Sequence, residues 1–69
     1  SMRTIVTIQG THCASCKGLI EDICREVPGI TSCEVDFKTG KTVIDHEENF
    51  DWKIFENELA QLGKYKLTM

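Results

Sequence analysis

The chain has 69 residues, four of them cysteine, with 41% hydrophobic and 28% charged residues. Folding at that length buries only about 60% of the unfolded surface, which excludes a doubly wound sheet or a multidomain enzyme and leaves one small domain over residues 1–69. Eight basic against eleven acidic residues give a net charge of −3 with no basic run, so no nucleic-acid partner is expected.

Ser1 ahead of Met2 reads as a cloning scar. Residues 3–9 are rich in β-branched types and predict a strand, with Val6 and Ile8 on one face. Gly10 and Thr11 break that pattern. From Ala14 to Val27, Leu19, Ile20, Ile23, Cys24 and Val27 recur at spacings of three and four and predict an amphipathic helix, which Pro28-Gly29 stops. Residues 30–37 alternate, with Cys33, Val35 and Phe37 facing inward. Lys38-Thr39-Gly40-Lys41 predicts a hairpin turn and residues 42–47 its return strand, with Ile44 inward. Asp51 is a suitable N-cap for a second helix, and Phe50 with Phe55 would form a hydrophobic staple. Phe55, Leu59 and Leu62 continue one face of that helix, Gly63 ends it, and Lys64 to Met69 forms a last strand.

The order β-α-β-β-α-β predicts an α+β, ferredoxin-like sandwich: two helices on one face of a four-stranded antiparallel sheet. That fold hosts unrelated functions, so function has to be argued from a site. No stretch is long and apolar enough to span a bilayer, so no direct membrane insertion of this domain is expected. No export signal is visible, and a cytoplasmic home with reduced thiols is the expectation.

The candidate site is Gly10-Thr11-His12-Cys13-Ala14-Ser15-Cys16, between the first strand and the first helix. Two cysteines spaced i, i+3 across a helix start can aim their sulfurs at one point. Helix N-terminal amides favour negative charge and so favour thiolates. Soft thiolates select Cu(I), zinc and related ions, and two of them suit a low-coordinate ion better than the four-ligand shell of structural zinc. The same pattern also describes a thiol–disulfide redox module, which is the alternative reading. Against it stand a chain shorter than a thioredoxin fold and the absence of an early proline, since Pro28 is the only one.

The Gly10–Cys16 segment, followed by Ile20-Glu21, Val27-Pro28-Gly29-Ile30 and Leu59…Leu62-Gly63, resembles the heavy-metal-associated domain family from Thr4 to about Leu67. The family includes copper chaperones, metal-binding domains of P-type ATPases and mercury-binding proteins. The resemblance implies a non-enzymatic domain that binds and transfers a soft metal, with Cys13 and Cys16 as ligands. It implies a cytoplasmic metallochaperone or a metal-pump regulatory domain, as a monomer or a metal-bridged dimer. The implied partner is the metal-binding domain of a P-type ATPase or a chaperone.

Zinc or cadmium domains of the resembled family often carry an acidic residue beside the cysteine pair, and none adjoins it here, so the resemblance implies Cu(I), with Zn, Cd, Hg or Ag as alternative ions. Thr11 stands where the family usually has a methionine that anchors the loop; its hydroxyl could cap the loop instead. His12 reads as an exposed loop histidine, the alternative being a third ligand or a group tuning release. Lys64 reads either as an ammonium offsetting the negative charge of a thiolate-bound Cu(I) or as an ordinary exposed lysine. Lys17 reads as solvated and Asp45-His46-Glu47-Glu48 as a solvated strand end. Cys24 and Cys33 read as small core hydrophobes.

Overall fold

A computed structural model describes residues 2–12 and 14–68. The elements are β1 (Met2–Gln9), α1 (Ala14–Glu26), β2 (Ile30–Val35), β3 (Lys41–His46), α2 (Trp52–Gln61) and β4 (Lys66–Thr68). The strands form one sheet in the order β2-β3-β1-β4, and every neighbouring pair is antiparallel. α1 packs on β2, α2 on β4, and the helices on each other. This is the expected two-layer sandwich.

The strand register explains the core. Val6 pairs with Thr42, Thr4 with Ile44 and Ile8 with Leu67, while Cys33 and Val35 face Ile44 and Thr42 from the other side of β3. Period-two alternation puts these residues on the helix-facing side, and leaves Ile5 exposed on the other. Ile20 from α1 and Phe55 and Leu59 from α2 meet them, fully buried. Each such side chain contributes roughly 1.5–3 kcal/mol through burial. The Asp51 carboxylate accepts a hydrogen bond from the Lys53 amide at 2.9 Å and caps α2, worth about 1 kcal/mol. Phe50 and Phe55, on either side of this cap, are both in the core.

Several expectations need correction. Leu19 is 41% exposed and Leu62 38%, because each lies at the margin of its helix stripe; Leu62 is also the C-cap of α2. β2 ends at Val35, two residues early. There the Asp36 amide donates to the Lys41 carbonyl and the Gly40 amide to the Asp36 carbonyl, so Phe37 falls in the turn and is half-buried. β4 starts at Lys66 rather than Lys64 and runs to Thr68 among the described residues, and Met69 lies outside them.

His46 is not part of a solvated strand end. It shares the inward face of β3 with Thr42 and Ile44 and is only 4% exposed. Its ring lies 5.0 Å from Phe50 and 5.3 Å from Trp52, with Nε2 2.8 Å from the Thr4 hydroxyl and Nδ1 2.8 Å from the Glu47 carbonyl. The carbonyl can only accept, so Nδ1 donates to it.

Two carboxylates outside the core link stability to pH. Asp45 is held below the ordinary carboxylate range, first by its hydrogen bond from Arg3 and then by that from Ser32. Glu21 is lowered chiefly by its hydrogen bond from Lys17. A depressed folded-state pKa stabilises the fold above the unfolded-state value, and that stabilisation is lost as pH falls through the folded-state value. The melting temperature should therefore drop on acidification below about pH 4. An Asp45→Asn variant should melt lower than the wild type at neutral pH and show a shallower acid limb in circular-dichroism melts.

Candidate metal centre

The site segment leaves β1 at Gln9 and enters α1 at Ala14. Gly10 turns it with φ +98°, a conformation L side chains rarely adopt. A Cβ at this position would sit 2.0 Å from the Lys64 carbonyl oxygen and 3.4 Å from the Tyr65 ring. Only a glycine lets the two loops approach this closely. The loop before β4 is thereby packed against the segment that leads to the cysteine pair.

Thr11 is half-buried, and its hydroxyl donates to the Phe37 carbonyl at 2.9 Å. The hydroxyl therefore ties the loop to the β2–β3 turn, a polar tether where an apolar anchor would be usual in the resembled family. A Thr11→Val variant should lose about 1 kcal/mol, read as a shift in the denaturant midpoint at constant m-value. His12, Ala14 and Ser15 are exposed. Cys13 lies outside the described residues.

Cys16 is in the first turn of α1 and is 4% exposed. Cys16 is thus seated in the core rather than on the exposed face of the loop. Cys16, Ile20, Ile23, Cys24 and Val27 form one buried stripe at spacings of four, three, one and three. The i−4 spacing from Ile20 already signals that burial in the sequence. A side chain there is sheltered from water.

Lys17 is not merely solvated. Its ammonium donates to the Glu21 carboxylate at 2.7 Å and to the Val35 carbonyl at 3.1 Å, and the Val35 amide in turn donates to Glu21. The pair raises the Lys17 pKa, mainly through the hydrogen bond to Glu21. This (i, i+4) bridge clamps the first turns of α1 to the end of β2.

Lys64 is exposed, with its ammonium 5.7 Å from the centroid of the buried Tyr65 ring. The structure thus places the Lys64 backbone against Gly10. Thr11 and Gly10 hold the loop from two sides, and His12 projects from it into solvent. Among the described residues, no group of three or more His, Cys, Asp or Glu could hold a metal ion. Cys24 and Cys33 lie elsewhere, between α1 and β2; Cys24 is buried in the core and Cys33 packs against its edge.

Comparison with known proteins agrees with the architecture. The chain is 29% identical over 45 residues to the copper chaperone CopZ of Staphylococcus haemolyticus, covering 65% of this chain and 66% of that protein, just under two thirds of its length. A structure of a CopZ metallochaperone superposes with a TM-score of 0.85 at 19% identity, covering 97% of this chain and all of the other. The N-terminal domain of a potential copper-translocating P-type ATPase from Bacillus subtilis superposes with a TM-score of 0.84 at 22% identity, over 97% of this chain and 84% of that one. At those identities the structural likeness establishes the fold. The model of the heavy-metal-associated domain matches residues 5–64, and the chain belongs to that family.

Proposed function

We propose that this domain binds a soft metal ion, Cu(I) foremost, between the sulfurs of Cys13 and Cys16 and passes it to a partner's thiolates. The observation that carries the reading is the position of Cys16 in the first turn of α1, at the end of a loop fixed by Gly10 and Thr11. Thiolates are soft ligands, and the helix N-terminus lowers the cost of carrying their charge. Family membership and relatives that are named copper chaperones support the same ion.

Two thiolates and one Cu(I) leave a single negative charge. Lys64, in the loop packed on Gly10, offsets it. His12 stays in solvent and is not a ligand. With His12, Ala14 and Ser15 exposed, an incoming thiolate reaches the ion from the solvent side of the loop, while Cys16 holds from the sheltered side. Such a site suits ligand exchange with the metal-binding domain of a P-type ATPase or with a chaperone. Binding and transfer without catalysis, by one cytoplasmic domain over residues 1–69, is the resulting role. Zn, Cd, Hg and Ag are poorer or substitute cargoes.

The test is a Cu(I) titration against a competing chelator. The wild-type chain should take one equivalent, and a Cys13→Ser/Cys16→Ser double variant none at the same chelator concentration. Unchanged binding by the double variant would refute the assignment.

A further inference from the structure

The cysteines outside the loop form a second dithiol. Cys24 is on α1 and Cys33 on β2, an edge strand of the sheet. Both line an open cleft of about 240 Å³ between helix and strand, together with Glu21, Arg25 and Ser32. Neither is in a disulfide. Cys24 is 3% exposed, while Cys33 is partly open to solvent on the cleft side. We propose that Cys24 and Cys33 are a thiol–disulfide exchange site for a small-molecule disulfide of the glutathione class, with Cys33 the attacking sulfur and Cys24 the resolving one.

The two thiols are unequal in the sense this chemistry needs. Cys33 is held below the ordinary thiol range, first by its hydrogen bond from Cys24. Cys24 is pushed up, first by that same hydrogen bond to Cys33 and then by burial. The accessible sulfur therefore ionises first, and the buried one keeps its proton until a neighbouring sulfur becomes electrophilic. The Cys33 thiolate attacks one sulfur of the small disulfide, forming a mixed disulfide and releasing one thiolate. That thiolate takes the Cys24 proton. Cys24 then attacks the Cys33 sulfur, closes the Cys24–Cys33 bond and expels the second small thiolate, which takes a proton from water. Two protein thiols are oxidised and one disulfide is reduced to two thiols.

A soft-metal site on the same pair is disfavoured by charge. It would require both thiolates at once, beside the Glu21 carboxylate, in a half-buried cleft. The disulfide is neutral and escapes that repulsion. The site is independent of Cys13 and Cys16, so its failure and the failure of the metal reading are separable.

The test uses the folded wild-type chain with oxidised glutathione, followed by alkylation and peptide mapping by mass spectrometry. A peptide linking Cys24 to Cys33 is expected, with Cys33 reacting at least about tenfold faster than Cys24. A Cys24→Ser variant should retain one glutathione on Cys33, and a Cys33→Ser variant should leave Cys24 unmodified. Because the linkage is read in the wild type, a poorly folding variant does not decide the outcome. The proposal is overturned if wild-type Cys33 stays glutathionylated and unresolved, if neither cysteine is oxidised, or if Ag(I) binds a second equivalent that protects both from alkylation.

Discussion

A Cys16→Ala variant is expected to keep its fold and lose at least about a thousandfold in Cu(I) affinity, roughly 4 kcal/mol of binding free energy. Two effects act on different scales. Cys16 is nearly fully buried in the α1 stripe, so shortening it by one sulfur removes packing worth about 1 kcal/mol. Removing it as a ligand leaves one thiolate, and a single soft donor cannot hold a low-coordinate ion against a chelator. The two losses are separated by measuring denaturant stability and chelator competition on the same sample. An affinity loss in proportion to the small stability loss would mean that Cys16 is core and nothing more.

Gly10→Ala should show the largest stability effect at the site, a loss of about 2–4 kcal/mol. The estimate combines a φ of +98° with a backbone carbonyl, that of Lys64, only 2.0 Å from the new Cβ. A backbone atom cannot swing aside as a side chain does, so the loop before β4 must move. A chain of this length is stabilised by only about 3–10 kcal/mol, so the loss is a large fraction of the total. Gly63→Ala is the matched control. Its φ is +79° and a Cβ there meets nothing within 4 Å, so strain alone remains, about 1–2 kcal/mol. If the two variants lose equal stability, the close approach of the two loops does not matter energetically. The displaced loop should also weaken metal binding in the Gly10 variant, because Gly10 and Thr11 together set where the chain enters α1.

The element order was readable from sequence because each element carries its own period. Val6 and Ile8 alternate, Ile20, Ile23 and Cys24 recur at helical spacing, and Asp51 sits ahead of the second helix as a cap. Element ends were less readable. Phe37 continues the alternation of Cys33 and Val35, but the backbone pairing of Asp36 with Gly40 and Lys41 closes the turn before it. His46 was obscured by its acidic neighbours, although its period-two relation to Thr42 and Ile44 puts it inside. The Lys17–Glu21 bridge follows from (i, i+4) spacing, yet its hold on β2 depends on tertiary packing that no local pattern carries. At the site, residue type pointed to soft-metal chemistry. The burial of Cys16 is legible in its i−4 spacing from Ile20, whereas the seating of Gly10 on Lys64 emerges only when strand, helix and loop are assembled.

The central claim is that Cys13 and Cys16, and no other donors, hold the ion. Copper-edge X-ray absorption on the chain loaded with one equivalent of Cu(I) tests it most directly. The account predicts a first shell of sulfur alone, two donors per copper, that disappears in the Cys13→Ser/Cys16→Ser variant. A nitrogen donor in the first shell, or a two-sulfur shell that persists in the variant, would contradict it.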